Sequence, residues 1–132
     1  MSWGRAALDQ YIKSLQPLPS PDLVQGDLSP AAKRGQAIFS KAGCIDCHKP
    51  GLYTDSHPHD VGTRAVTDSP TDKFYTPTLI EVWRTAPYLH DGSAGTIRDV
   101  VTTRNPNDGR HGDVQGLSSE EINDLCVYVL SL

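Results

Sequence analysis

The clearest hydrophobic pattern of the chain lies at its C-terminal end. Apolar side chains recur at helical spacing from Leu117 to Leu130, and Ser118-x-x-Glu121 at the start of this stretch matches a capping box. The pattern predicts an amphipathic terminal helix. Cys126 falls on its apolar stripe, which predicts a buried and inert thiol.

A second helix is predicted just ahead of Gly43. Ser29-Pro30 combines a good N-cap with a proline at the first helical position, and apolar residues continue at helical spacing to about Lys41. Within this stretch Gly35 costs about 1 kcal/mol of helix stability relative to alanine, so we expect another element to approach it closely. The expected neighbour is Tyr128 of the terminal helix.

The first part of the chain predicts a helix followed by a linker. Apolar residues at 3–15 lie close to helical spacing, and Pro17, Pro19 and Pro21 end the pattern. The chain is therefore predicted to divide into 1–28, an N-terminal helix with a proline-rich linker, and 29–132, the main domain. The first helix is either an extra element or the tail of a preceding domain.

The middle of the chain shows little periodicity. Residues 49–75 are rich in glycine and proline and are predicted to be loop. A short helix is predicted from Thr76-Pro77 to Trp83, and another after Thr96-x-x-Asp99. Because no strand pattern occurs, the prediction is an all-α fold of short helices and long loops.

Composition narrows the functional classes. The chain has 132 residues, which suits one main domain, and its apolar fraction of 37% is low for a core made of side chains alone. A large apolar cofactor would supply the missing packing surface. The net charge of -4 argues against nucleic-acid binding, and no apolar stretch reaches the roughly 18 residues of a membrane span.

The motif Cys44-Ile45-Asp46-Cys47-His48 predicts that cofactor. In C-x-x-C-H each thiol adds to one haem vinyl group and the histidine ligates the iron from the proximal side. A zinc site would need two more nearby ligands, and the third cysteine, Cys126, is remote in sequence. A thioredoxin-like dithiol would accompany a βαβ pattern, which the sequence lacks. The prediction is one covalent haem c with its iron.

Further motifs resemble a known family. Gly35-x-x-x-Phe39 ahead of the haem motif, with Tyr128-Val129-Leu130 in the last helix, resembles class I cytochrome c. The segments 75–79, 85–93 and 96–101 are similar to the electron-transfer domain of bacterial di-haem cytochrome c peroxidases and MauG proteins. The resemblance covers about 29–132 and implies a cytochrome c fold around one haem, to which the N-terminal helix is an addition.

Two departures from the family limit what the resemblance implies. Those peroxidases need a second haem, whereas this sequence has one C-x-x-C-H, so it can supply the electron-transfer domain but not the whole peroxidase. The family's distal methionine would fall near Arg104, and the sole methionine here is Met1. Methionine ligation of the iron is therefore not expected.

Several residues are candidates for the distal ligand. We rank His111 first, because the stretch Asn105–Gly112 resembles one found in similar domains attached to propeller-like surface proteins, although a surface-loop histidine is an equal alternative. His57 and His59 rank second, and Lys73 or no ligand at all stays open.

Other residues are candidates for contacts with the haem propionates. Arg84 borders the family motif and His90 lies within it, and Arg64 and Trp83 could act in the same way. For Arg64, Arg84 and Trp83 the preferred interpretation is an ordinary surface or core residue, and for His90 the alternative is a structural hydrogen bond.

The predicted function is that of a monohaem c-type cytochrome that carries single electrons. We expect an electron carrier rather than an enzyme. The rival hypothesis is a peroxidase-like or gas-binding domain with an open or weakly ligated sixth iron position. The expected partner is a redox protein or an adjacent redox domain of a larger protein. Covalent haem attachment in bacteria takes place outside the cytoplasmic membrane, so we expect a periplasmic protein, with Met1 as a recombinant start.

Overall fold

The computed structural model describes residues 3–132, so Met1 and Ser2, where the predicted segment 1–28 begins, lie outside the described residues. Helices and loops dominate, and the fold also contains one ribbon of two very short strands. In chain order the elements are α1 (Trp3–Ser14), α2 (Pro30–Lys41), β1 (Pro58–His59), β2 (Phe74–Tyr75), α3 (Ile97–Val101) and α4 (Ser119–Leu130).

The crossing of α2 and α4 is the centre of the domain. Ser29 caps α2 by accepting a hydrogen bond from the backbone N–H of Ala32, and Pro30 occupies the first turn, as predicted. Gly35 is buried at the crossing, where a Cβ would lie 2.8 Å from the Cβ of Tyr128. The predicted close approach of Gly35 and Tyr128 is thereby confirmed. The surrounding core is apolar and consists mainly of Ala32, Phe39, Val82, Ile97, Val114, Ile122, Leu125, Cys126 and Val129.

Helix α4 begins with the predicted capping box. The Ser118 hydroxyl accepts from the backbone N–H of Glu121, and the Glu121 carboxylate accepts from that of Ser118. Opposite the apolar stripe, the buried carboxylate of Asp124 accepts two hydrogen bonds from Arg34 on α2, at 2.6 and 2.8 Å. The pair ties the two central helices together across their crossing.

The middle of the chain departs from the prediction in two places. The helix predicted from Thr76 to Trp83 is wrong: only Val82–Arg84 form a short 3-10 turn. Glu81 precedes this turn with φ of 60°, a left-handed conformation that cannot continue a helix. The expectation of no strands is also wrong, because β1 and β2 pair antiparallel and close the loop between them.

Helix α1 and the linker lie at the surface. Every described side chain from Gly4 to Ser14 is exposed. The linker is nevertheless fastened to the main domain at two points. The backbone N–H of Leu18 donates to a carboxylate oxygen of Glu81 at 2.7 Å, and the Ser20 hydroxyl donates to the carbonyl of Leu130 at 2.7 Å. Among residues 3–132, no helix is long and apolar enough to cross a membrane.

Candidate haem site

The haem motif follows directly on the end of α2. Gly43 has φ of 77°, a left-handed conformation that glycine adopts without strain, and it turns the chain into a 3-10 turn at Cys44–Asp46. Cys44 and Cys47 are free thiols, both partly buried. Burial raises the pKa of Cys44 to about 11. The turn therefore presents two unpaired thiols, as covalent attachment of a haem requires.

His48 is oriented by backbone carbonyls: that of Tyr53 accepts a hydrogen bond from the ring, and that of Pro77 also lies close to it. Nδ1 of His48 lies 3.0 Å from the carbonyl oxygen of Tyr53, which can only accept, so Nδ1 carries the proton and Nε2 keeps its lone pair. Burial lowers the pKa of His48, which favours the neutral ring, although both carbonyls favour the protonated ring and so act to raise the pKa. The ring also lies beside Phe39, with centroids 6.4 Å apart. An oriented, neutral imidazole with Nε2 available is what a proximal iron ligand needs.

His111 lies in the loop between α3 and α4, near His48. Its Nδ1 is buried and has no hydrogen-bond partner among residues 3–132. Burial, and secondarily the neighbouring His48, lowers the pKa of His111, so its ring is neutral near pH 7. A buried polar atom without a partner costs free energy. Nδ1 of His111 therefore lacks the hydrogen-bond partner that a buried polar atom normally has.

The loop that carries His111 is packed against the haem motif. A Cβ on Gly112 would lie 3.2 Å from Sγ of Cys44 and 3.3 Å from the carbonyl oxygen of Ala42. The next residue, Asp113, donates its backbone N–H to the same carbonyl at 2.8 Å. Both distances are tighter than usual for a Cβ, and φ of 76° would strain any residue with a side chain, so the position favours glycine. Position 112 therefore brings the loop to the end of α2.

These features fit a c-type haem. Two free thiols and an oriented histidine occupy one turn, and a second neutral imidazole without a protein partner lies nearby. Cys44 and Cys47 would hold the porphyrin covalently, and His48 and His111 would supply nitrogen ligands to its iron.

The second-ranked histidines are engaged with a carboxylate and its backbone. His59 places Nε2 2.8 Å from a carboxylate oxygen of Asp55, which is largely buried. His57 is exposed, and its Nδ1 lies 2.5 Å from the carbonyl oxygen of Asp55. The hydrogen bond from the backbone N–H of His57, and then the contact with His59, lowers the pKa of Asp55. Lys73 is exposed.

Most residues that we expect near the propionates have a hydrogen-bond partner in the protein, and Trp83 is the exception among the residues that the structure describes. His90 places Nε2 2.7 Å from Asp68, and its ring stacks on Phe74 with centroids 3.8 Å apart. Arg84 donates to Glu81 at 2.7 Å. The predicted haem contacts of His90 and Arg84 stay predictions. Trp83 has a buried Nε1 without a hydrogen-bond partner in the described part of the chain.

Two supporting residues were missed from the sequence. Tyr53 orients His48 through its backbone carbonyl, and a backbone contact leaves no signal in residue type. Asn105 is buried and binds the backbone of the loop at His111. Asparagine before proline is a turn signal, so Asn105-Pro106 could have been identified as the start of an ordered loop.

Comparison with known proteins places the domain among cytochromes. Residues 74–107 match a family described as RoxA-like, cytochrome c-like. The gamma subunit of hydrazine synthase from Kuenenia stuttgartiensis is 31% identical, over 96% of this chain and 48% of that protein. A cytochrome-c peroxidase of Denitromonas iodatirespirans is also 31% identical, over 80% of this chain and 41% of that protein. MauG of Methylorubrum extorquens is 37% identical, over 53% of this chain and 24% of that protein.

Solved structures agree with the sequence comparison. A structure of Kuenenia stuttgartiensis hydrazine synthase matches with a TM-score of 0.79 at 30% identity, over 92% of this chain and 52% of that one. A MauG-like protein associated with microbial copper homeostasis matches with a TM-score of 0.65 at 20% identity, over 82% of this chain and 48% of that one, a likeness of fold alone. The chain spans about half the length, or less, of the relatives that it matches.

These relatives correct one prediction. The expectation that the chain is more an electron carrier than an enzyme is contradicted, because several relatives are named as cytochrome-c peroxidases and another as a subunit of hydrazine synthase, all of which are enzymes. The predictions of a cytochrome c-like fold and of covalent haem c with iron are confirmed. The chain is a c-type cytochrome domain that resembles the electron-transfer domain of bacterial di-haem cytochrome c peroxidases and MauG proteins.

Proposed function

We propose that this domain passes single electrons within a larger haem enzyme, and that its iron is held by His48 and His111. One observation carries the proposal: Nδ1 of the partly buried His111 is itself buried and has no hydrogen-bond partner among the described residues, and the neutral ring lies near the motif that binds the haem. An iron with two strong protein ligands mainly carries electrons, whereas an open iron binds small molecules. Two nitrogen ligands would also give a lower potential than a histidine and methionine pair.

The proposal includes a second redox unit next to this domain. The sequence Leu8-x-x-Tyr11-Ile12-x-Ser14-Leu15 of α1 repeats the pattern Leu125-x-x-Tyr128-Val129-x-Ser131-Leu132 of α4 and the residues that follow it. Leu125 and Tyr128 are 0% and 3% exposed, whereas Leu8 and Tyr11 are 57% and 63% exposed. The resemblance to α4 supports a division into 1–28, whose helix packs on another haem unit, and 29–132, the monohaem domain. That unit, or a separate redox protein, would exchange electrons with this domain in the periplasm.

The optical spectrum of the purified holoprotein tests the ligand assignment. We expect a low-spin ferric spectrum that His111→Ala converts to high spin, because the variant removes one of two strong ligands. His59→Ala and His90→Ala serve as matched controls, since both imidazoles are bound to carboxylates. A low-spin spectrum that survives in His111→Ala would rule out this ligand.

A second candidate function is a peroxidase-like or gas-binding site with an open sixth position. The names of the peroxidase relatives favour it. In that case the wild-type ferric haem would be high spin, and the ferrous form would bind carbon monoxide rapidly, because no protein ligand must first dissociate from the iron.

A further inference from the structure

We propose that Asn105 and Arg110 are positioning residues that hold His111 at the iron and so keep the distal position closed. The inference rests on the proposed function, in which His111 is the distal ligand. It concerns the loop 105–113 between α3 and α4, which has no helix or strand of its own. Its conformation must therefore come from side chains that bind its backbone and from contacts with neighbouring segments.

Asn105 fastens the backbone at the ligand itself. Its side chain is buried, with the whole residue 5% exposed. The amide Nδ2 donates to the carbonyl oxygens of His111 and Gly112, at 3.0 and 3.4 Å, and Oδ1 accepts from the backbone N–H of Asn107 at 2.9 Å. Both ends of the amide are therefore used, and the loop is closed on itself across His111.

Arg110 fastens the same loop to a different part of the chain. Its Nη1 lies 3.1 Å from each carboxylate oxygen of Asp60, and its Nε donates to Asp108 at 2.7 Å. Asp60 also binds Arg64 at 2.5 Å, so it is itself held in place. The 60–64 segment and the loop 105–113 also pack closely: a Cβ on Gly62 would lie 2.8 Å from the side chain of Pro106. Arg110 thus links the residue next to the ligand to the 60–64 segment.

The two anchors act on opposite sides of His111. On one side Asn105 binds the carbonyl of His111, and beyond it Gly112 and Asp113 pack on Ala42. On the other side Arg110, the residue that precedes His111, is held by Asp60. If either anchor is lost, the loop has more conformations in which the imidazole lies away from the iron. Because small molecules bind only when the distal position is open, their apparent binding rate measures the population of these conformations.

The test uses ferrous holoprotein, carbon monoxide as the probe and Arg110→Ala as the main variant. The variant removes the ion pairs with Asp60 and Asp108, and we expect binding about 5-fold faster than in wild type, since partly exposed ion pairs each contribute little. Asn105→Ala should accelerate binding roughly tenfold or more, because two partly buried carbonyls lose their donor and the backbone N–H of Asn107 loses its acceptor. Arg104→Ala is the matched control: its side chain is 44% exposed, against 43% for Arg110, and it pairs with Asp91 at 3.8 Å.

Two further measurements separate positioning from general destabilisation. Arg110→Lys restores the charge and should return the carbon monoxide rate towards that of wild type. Arg110→Ala and Asn105→Ala both keep the His111 imidazole, so their ferric haem should stay mainly low spin, as in wild type. A misfolded pocket would instead give a mixed or high-spin ferric spectrum.

The outcomes distinguish this inference from the proposed function. If His111→Ala opens the iron while Arg110→Ala and Asn105→Ala bind carbon monoxide at the wild-type rate, the positioning role is wrong and the ligand assignment stands. If His111→Ala leaves both the spectrum and the rate unchanged, both proposals are wrong. Equal acceleration in Arg104→Ala would also overturn the positioning role. Arg110 lies at the surface, so its variant should fold even if Asn105→Ala does not.

Discussion

Gly35 of α2 lies directly against Tyr128 of α4, with 2.8 Å between the Cβ of Tyr128 and the position that a Cβ of residue 35 would take. The carbonyl of Asp124 would be closer still. We therefore expect Gly35→Ala to force the helices apart and to lower the free energy of unfolding by more than about 3 kcal/mol, at the upper end for overpacked cores. Thermal unfolding of the holoprotein, followed by circular dichroism, measures the loss.

Gly4→Ala is the control for this substitution. Gly4 also lies in a helix, but nothing in the described structure is within 4 Å of its Cβ position. Alanine should leave stability unchanged or raise it by up to about 1 kcal/mol, through helix propensity alone. An equal loss in both variants would contradict the tight crossing.

Lowering the pH should release histidine ligands from the iron. Burial lowers the pKa of both His48 and His111 below the ordinary value of 6.5, so the folded state favours the neutral rings. The unfolded state binds more protons than the folded state once the pH drops below 6.5, and stability is lost as the pH falls further. We expect the low-spin spectrum to persist from pH 8 to well below 6.5 and to convert to high spin only at more acid pH, because an iron-bound nitrogen must leave the metal before it takes a proton. Conversion from low spin to high spin when the pH is raised above 7 would contradict this predicted direction.

Cys126 should behave as an inert core thiol. It is 8% exposed, and burial raises its pKa. Because Cys44 and Cys47 are consumed by the haem, a maleimide reagent should label no thiol in the native holoprotein and one thiol per chain in denaturant. Mass spectrometry counts the labels. Labelling of the native protein, or of three thiols after unfolding, would contradict the assignment.

The Arg34–Asp124 pair should contribute measurably to stability. The Asp124 side chain is 5% exposed and that of Arg34 is 56% exposed. Asp124→Ala should lower the free energy of unfolding by about 2 kcal/mol, less than for a fully buried pair, because water still reaches the guanidinium. Lys33→Ala removes the exposed pair with Asp27 and should change stability by less than about 0.5 kcal/mol. Equal effects of the two variants would count against the buried pair.

Local sequence signals predicted the frame of the site. The ends of α2 and the capping box of α4 depend on neighbouring residues, and the C-x-x-C-H motif places its ligands within one turn. The crossing at Gly35 was also predictable, since glycine inside a helix is unfavourable without a packing reason. The contact between this glycine and an aromatic residue is long-range, but both residues lie on regular helices whose faces can be read from the sequence.

The loops were harder to predict because long-range partners decide what their histidines do. His90 binds Asp68, which lies in a loop far from it in sequence, and nothing in either segment predicts the pairing. His59 binds Asp55 across a turn in which Ser56 adopts a positive φ, an uncommon conformation for serine. His111 differs from both through the absence of a partner for Nδ1 within residues 3–132, which only three-dimensional structure could reveal.

The attachment of Leu18 to Glu81 limits how far α1 can move. Only residues 15–17 lie between the end of α1 and this hydrogen bond, and an extended chain of that length spans about 10 Å. Any redox unit that α1 belongs to would therefore be held beside the domain by the covalent chain, at an effective concentration of roughly millimolar or more. Electron exchange between the two would then need no strong docking surface and would not depend on protein concentration.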